Sequence, residues 1–432
     1  MSNSYDVIIA GAGISGASLA SLIGRSLDTL ILEKDDGPGG LIKCKRFDGH
    51  LFHLTGGHVF NSKNSKVVEW FWEQFQASDF ALHERNAVVG LNGQVIPYPI
   101  ENNIFRLPQD LSKRIYKEVL TMNNSRNSSF PSTPGSASFE EFLAQTFGQT
   151  LYELYFKPYN EKIWMMSLSE IPISWLEGKL PMPSPQDIIL VNLCREKENG
   201  MVHSSFYYPT NNGSQHLIDT LLASCGARLS CNSPLESIRI KKSSLFVNDT
   251  YSANMLVYTG DARKLLDIIK DPPADLANIL TRLTTLKSNG TTNILCTTEP
   301  VPYSWEYLPS KSVRPHRIIY TGNFSKLNNG NNEDLSCVVE ISGYLDKSLA
   351  VQQAIALPRI KKTIRYNYTP NSYVIQEPST RAMISAAKAA LSEYNIFLLG
   401  RFAEWEYYNM DKCIESAMAL AEIIGKFPIS KA

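Results

Sequence analysis

Gly11, Gly13 and Gly16 stand as G-x-G-x-x-G in the run "VIIAGAGISGAS". Each glycine has a separate chemical task. The first makes a tight bend, the second lets backbone approach a pyrophosphate, and the third lets a helix pack closely on a strand. Ile14 and Ser15 begin that helix, whose first N–H groups have no intrahelical partner and are free for phosphate. Glu33 ends the next apolar run, 22 residues after Gly11, where a carboxylate reaches ribose hydroxyls; Lys34 follows it. The triplet alone specifies only a tight turn. Preceded by a strand, followed by a helix and joined to Glu33, it specifies a dinucleotide site.

Later residues decide which dinucleotide. Gly39, Gly40 and Leu41 in "EKDDGPGGL" provide a second close backbone approach soon after Glu33. Thr259 and Gly260 in "MLVYTGDAR", and Gly400 and Arg401 in "FLLGRFAE", resemble two further flavin-contacting segments of amine-oxidase-like proteins. Three separated pieces aimed at one cofactor point to FAD rather than NAD.

Positioning these residues takes a particular set of elements. "YDVIIAG", "ISGASLASLIGRS" and "DTLILEK" read as strand, helix and strand. "SKVVEWFWEQFQ" is an amphipathic helix, and "AVVGLNGQVIPYPI" a hairpin turning at Asn92-Gly93. The polar stretch 122–137 reads as a flexible surface loop. Ser138 and Glu141 form a capping box that opens a helical region reaching about residue 200. From about 205 the pattern predicts strands alternating with turns; residues 290–375, with "RIIYTGNFS" and "SCVVEISGY", read as antiparallel strands. The fold class expected is α/β: a discontinuous Rossmann-like FAD-binding domain (1–85, 205–285 and 385–432), an antiparallel β-sheet domain (86–107 and 286–384) and a mostly helical substrate domain with a mobile loop (108–204).

Composition narrows the function classes. Lys+Arg and Asp+Glu both number 42, so no net field draws nucleic acid or an anionic membrane. The apolar runs are too short to span a membrane, and the start lacks the order of a secretory signal. Seven scattered cysteines without a C-x-x-C pair favour reduced thiols and a cytoplasmic location, and the seven histidines lack metal-ligand spacing. No metal, nucleic acid or membrane partner is therefore expected.

Five segments in order, "HLTGGHVFNS", "VIPYPIENNIFRLP", "YFKPYNEKIWMMSLSEIP", "PHRIIYTGNFS" and "GRFAEWEYYNMD", resemble the UDP-galactopyranose mutases over nearly the whole chain. The most distinctive are Tyr159 to Trp164 (Y-x-E-K-x-W) and Gly400 to Met410 (G-R-x-A-E-x-x-Y-Y-x-M). "PYPIENNI" leans to the eukaryotic branch and "GRFAEWEYYNM" to the bacterial one.

The resemblance implies an isomerase that interconverts pyranose and furanose forms of a nucleotide sugar, UDP-galactose by default. Reduced FAD acts through N5 as nucleophile on the anomeric carbon, without net redox. An external reductant is then required, and a homo-oligomer stays open. It further implies that Arg317 and Lys179 clamp the diphosphate, Lys179 standing where the family has arginine and lacking the planar fork. His58, between glycines, matches a flavin-adjacent histidine, although a lone histidine is more often structural. Asn61 replaces the family's second histidine. Arg401, Tyr407, Asn409 and Met410 match flavin and phosphate contacts, Asn409 replacing a bacterial aspartate. Glu340 matches a glutamate near the sugar, and Tyr373 a phosphate contact. Tyr155, Phe156, Tyr159 and Trp164 match partners of the nucleotide base; the helical spacing of Tyr155, Phe156 and Tyr159 alone favours core packing, and the resemblance reverses that. Alternatives are the same chemistry on a dTDP-6-deoxyhexose or UDP-N-acetylhexosamine, an amine-oxidase-like flavin oxidoreductase, and a non-catalytic FAD-binding module.

Overall fold

A computed structural model describes residues 3–122, 138–173, 183–196, 204–241 and 244–426. The stretch 123–137, read as a flexible loop, and Lys179 lie outside the described residues.

The strand Ser4–Ala10 is apolar on both faces and is covered on both. It runs parallel to Thr29–Leu32 on one side and to Tyr251–Tyr258 on the other. Tyr251–Tyr258 pairs in parallel with Ile396–Leu398, and Thr29–Leu32 with Arg228–Ser230. This eight-stranded sheet therefore collects strands from the start, middle and end of the chain. Successive side chains alternate faces. Val7 and Ile9 pack with the helices Ile14–Ile23 and Met410–Ile424, while Ile8 and Ala10 pack with Ala274–Leu283 and Thr380–Ser392. The small residues of the first helix bring it close: a Cβ on Gly16 would lie 2.0 Å from the Gly11 carbonyl oxygen.

A second sheet of seven strands runs in the order Ile360–Val374, Ser288–Thr298, Leu335–Ser342, Arg317–Ile319, Trp305–Tyr307, Ala87–Leu91 and Gln94–Pro97. It is antiparallel except where Trp305–Tyr307 runs parallel to Ala87–Leu91. The hairpin closed by Asn92 and Gly93, at φ +50° and +81°, joins the sheet from far upstream in the chain.

Helices Gln109–Thr121, Phe139–Phe147, Lys157–Trp164 and Pro185–Cys194 form the remaining layer. Ser138 Oγ accepts from Glu141 N–H, and the Glu141 carboxylate accepts from Ser138 N–H, completing the capping box. Lys162 Nζ reaches across to the carbonyls of Leu308 (2.7 Å) and Pro315 (3.1 Å), tying this layer to the second sheet.

Three local expectations are corrected. Past "DDGPGG" the residue types predict an aromatic, loop-rich stretch, and it contains the hairpin Cys44–Phe47 and His50–His53, closed by Asp48 and Gly49 at positive φ. Between 205 and 285 the helices Gln215–Ser224 and Ala274–Leu283 interrupt the strands. The first is held by an apolar face of Leu217, Ile218 and Leu221 that tertiary packing buries. "RIIYTGNFS" is a strand only to Ile319, after which a 3₁₀ turn at Thr321–Asn323 brings Gly322 hard against Asn329.

Glu404 holds the turn after the last strand. Its Oε2 accepts from Gly400 N–H and Ser416 Oγ, each at 2.7 Å, and its Oε1 pairs with Lys388 at 2.8 Å. The residue is buried, so Glu404→Ala strands the Gly400 N–H and Ser416 Oγ donors, while half-exposed Lys388 turns to water. A loss of about 3 kcal/mol in stability is expected, read as a lower urea midpoint at unchanged slope. A midpoint within error of the parent would show the turn to be held by other contacts.

Candidate active site

Two elements meet at a cleft. The first is the glycine turn. Gly11 has φ +113°, and a Cβ there would strike Thr259 Oγ1 at 2.2 Å, so its glycine is demanded by the protein itself. Gly13 differs: its backbone is extended, and a Cβ would meet nothing nearer than Gly40 Cα at 3.8 Å. Its missing side chain leaves open space, bridged to Gly39, in front of a ten-residue helix with no side-chain cap and no acid in its first turn. Those uncapped N–H groups and that space fit a pyrophosphate. Glu33 Oε2 accepts from Ala12 N–H (2.8 Å) and Oε1 from Asp35 N–H (2.9 Å), which fixes the carboxylate beside the turn. Thr259 Oγ1 donates to the Ala10 carbonyl, and a Cβ on Gly400 would lie 2.4 Å from Ser15 Oγ. Lys34 instead points outward to Asp35.

The second element is one row of cross-strand partners on the seven-stranded sheet. Tyr307 pairs with Arg317, Arg317 with Glu340, Glu340 with Asn293, and Asn293 with Asn367. Partners directly opposite share a face, so the five side chains stand side by side. Asn367 Nδ2 donates to the Leu54 carbonyl (2.7 Å), and Asn293 Oδ1 accepts from Gly56 N–H (3.3 Å). The row thereby holds the Gly56-Gly57-His58 loop over itself.

Glu340 is the electrostatic centre, 1% exposed. Arg317 Nη2 donates to both of its oxygens at 2.9 Å, Tyr373 Oη donates to Oε1 at 2.7 Å, and His316 Nε2 lies 3.1 Å from Oε1. Burial alone would raise the Glu340 pKa; the Arg317 charge, with His316 and Tyr373, overcomes it and holds the carboxyl well below the usual range. Burial keeps His316 uncharged despite its partner, so Nε2–H donates to Glu340 and Nδ1 accepts from Ser342 Oγ. Among the described residues Arg317 Nε is buried without a partner, leaving that donor for an arriving anion.

His58 lines the cleft with its Nε2 buried and unpartnered. Burial first, then the neighbouring His53 ring and the Arg401 and Arg317 charges, push its pKa down to about 3, so the ring is neutral at ordinary pH. Beneath it His53, also held to about 3 by burial, stacks at 6.4 Å; His53 Nδ1 accepts from His58 N–H (3.4 Å), and Nε2 faces Tyr208 Oη at 2.7 Å. Arg401 donates from Nε to the Tyr408 carbonyl (2.9 Å) and from Nη1 to the Ser372 carbonyl (3.0 Å), and lies 4.8 Å from the Tyr407 ring centroid. Tyr407 stacks on Tyr373 at 5.8 Å, and Trp164 supports both rings edge-on.

The cleft measures about 870 Å³ with its open mouth. Among the residues expected at the site, it brings together Leu41, His58, Arg317, Glu340, Tyr373, Arg401, Tyr407, Asn409 and Met410. Tyr155, Tyr159 and Trp164 do not line it. They are buried in the core between helices and sheet, Tyr155 stacked on Tyr159 at 5.4 Å and Tyr159 against Tyr307 at 5.3 Å. Phe156 stacks on Phe147 at 4.2 Å. Asn61 donates to the Ser205 carbonyl, a backbone tie rather than a cleft contact. The sequence reading missed Arg85, Trp305 and Tyr307, which line the cleft, and His53 and His316, which lie behind it. His316 adjoins Arg317 in a motif already singled out; Arg85, in "HERNAV", carried no signal.

These features define a Rossmann-like dinucleotide-binding α/β protein whose cofactor cradle opens onto an arginine-lined cleft. Residues 9–75 match the family model of the NAD(P)-binding Rossmann-like domain. The chain resembles the UDP-galactopyranose mutases. It is 22% identical to the UDP-galactopyranose mutase of Mycoplasma genitalium, with 95% of this chain and 93% of that protein covered. It is 27% identical to the dTDP-fucopyranose mutase of Escherichia coli over 41% of this chain and 46% of that one. The crystal structure of reduced UDP-galactopyranose mutase superposes with TM-score 0.84 at 21% identity, covering 98% of this chain and 96% of that chain, which shows the shared fold.

Proposed function

We propose that this chain is a flavin-dependent mutase that interconverts pyranose and furanose forms of a nucleotide sugar, with UDP-galactose the first substrate to test. One observation carries the reading: Arg317 is locked on ionised Glu340, with its Nε edge unpartnered, on the same cleft wall that holds His58. An oxidase of amines or apolar substrates gains nothing from a half-buried, oriented guanidinium there. A leaving diphosphate does.

The cradle fits FAD: uncapped N–H groups at Gly13 to Ser15 would hold the pyrophosphate, Glu33 a ribose, and the segments at His58 and Gly400-Arg401 the flavin end. When bound and reduced, the flavin supplies the nucleophile for the anomeric carbon and is regenerated, so no net redox results. The chain's own residues bind and orient. Arg317 takes the diphosphate as it departs and returns it. Glu340, kept ionised, fixes Arg317 and Tyr373. Neutral His58 offers Nε2 as a hydrogen-bond partner rather than a charge.

Residues 108–204 serve as the substrate domain and residues 86–107 and 286–384 as the sheet domain of this enzyme. Lys179 supplies a second cation to the diphosphate. The likeness to a dTDP-fucopyranose mutase supports a dTDP-6-deoxyhexose as the second substrate to test.

The test is a panel of UDP- and dTDP-sugars incubated with dithionite-reduced protein, with products separated chromatographically. Isomer formation is expected only after reduction, with no oxidised product. Equal turnover by oxidised protein, or turnover of none of the panel, would overturn the proposal.

A further inference from the structure

Arg85 directly follows the strand Phe80–Glu84 and lines the cleft. Its guanidinium sits among three rings, 5.0 Å from the Tyr98 centroid, 5.5 Å from Trp305 and 6.0 Å from Tyr307, and bonds the Tyr307 hydroxyl. Its Nε is buried with no acceptor. Among the described residues no carboxylate pairs with it, although Arg317, Arg359 and Arg263 each have one. Ring faces stabilise a cation from above, but they leave the in-plane N–H donors unsatisfied. Arg85 is half-buried, but its Nε–H is shut off from solvent, and a donor left so is costly unless an acceptor arrives.

The cleft lining makes the same point by charge. Three arginines, Arg85, Arg317 and Arg401, face one acid, Glu340, and Arg317 is the one it neutralises. Arg401 spends its donors on the carbonyls of Tyr408 and Ser372. Arg85 is therefore the cation with charge and donors to spare. Tyr307 stands between it and Arg317, bonded to the first and cross-strand partner of the second. A ligand lying along this row meets both guanidinium groups.

We infer that Arg85 is a second arginine contact for the diphosphate of the nucleotide substrate, acting beside Arg317 through Nε–H and the guanidinium edge not used by Tyr307. The inference rests on the mutase reading for the identity of the ligand, and on Arg85's own surroundings for the anion.

The test is calorimetric titration of the flavin-loaded protein with UDP, uridine and inorganic pyrophosphate, for the parent, Arg85→Gln and Arg85→Lys. Arg85→Gln is expected to weaken UDP and pyrophosphate about 10- to 100-fold and to leave uridine within about twofold. Arg85→Lys keeps the charge without the fork and is expected to weaken UDP about 3- to 10-fold. If Arg85→Gln fails to fold, the lysine variant decides: parental UDP affinity overturns the inference. So does an equal loss for UDP and uridine, which would mark Arg85 as structural. A parent that turns over nucleotide sugars, with UDP affinity unmoved by either variant, sinks this inference and spares the mutase reading. A parent that turns over none, yet loses pyrophosphate on Arg85→Gln, does the reverse. Absence of UDP and pyrophosphate binding to the parent defeats both.

Discussion

Arg317→Met is expected to lower kcat/KM by about 100- to 1,000-fold, the scale of losing one oriented donor to a developing anion. The same change should destabilise the fold, because Glu340 is 1% exposed and keeps only His316 and Tyr373 as partners. Breaking a buried pair from one side costs about 3–5 kcal/mol. The pH dependence has a definite sign. Glu340 has a folded pKa depressed below its ordinary 4.5, so its contribution is complete above that value and is lost as pH falls below it. The parent should therefore lose stability gradually below about pH 6.5, where the unfolded chain protonates His53 and His58 and the folded one keeps them neutral, and more steeply from about pH 4.5 downward as the Glu340 contribution is lost. In Arg317→Met the Glu340 pKa rises, and the deficit against the parent should shrink on acidification. Adding Glu340→Gln to Arg317→Met should restore much of the melting temperature without restoring turnover. Recovery of turnover in the double variant would show that Arg317 serves the fold and not the reaction.

Gly13→Val should abolish cofactor retention, with the affinity for FAD falling more than about 1,000-fold, while the apoprotein melts close to the parent. The two halves of that expectation have separate causes. Gly13 has an extended backbone that valine adopts, and its nearest neighbour in the added direction is 3.8 Å away, so the protein itself does not object. A branched side chain fills the space in front of the helix N–H groups, which is where a pyrophosphate must come. Gly11→Ala makes the contrast. At φ +113° and 2.2 Å from Thr259 Oγ1 it should lower apoprotein stability as well. Yellow, FAD-loaded Gly13→Val protein would place the pyrophosphate elsewhere and remove the basis of the cofactor assignment.

Features that depend on local chemistry were legible in the order of the residues. The glycine turn, Glu33, the hairpin at Asn92-Gly93 and the capping box at Ser138 are each fixed by residues a few positions apart, or by one strand–turn–helix unit, and each forms as its residue types require. The tail motif around Gly400 and Arg401 was legible for the same reason. Tertiary structure decided what depends on register between distant strands. Tyr307, Arg317, Glu340, Asn293 and Asn367 become one row only because four successive antiparallel pairings fall in step, and a slip of one residue in any of them would turn the residues beyond it to the other face. No spacing along the chain encodes that alignment. The same holds for Arg85, whose ring cage joins residues 85, 98, 305 and 307 through the one parallel seam of the sheet. Helical spacing alone favours core packing for Tyr155, Phe156 and Tyr159, and in the fold these residues pack among neighbouring rings and outside the cleft lining. An apolar face reads the same whether a ligand or another layer of protein covers it, and only the packed neighbours decide which.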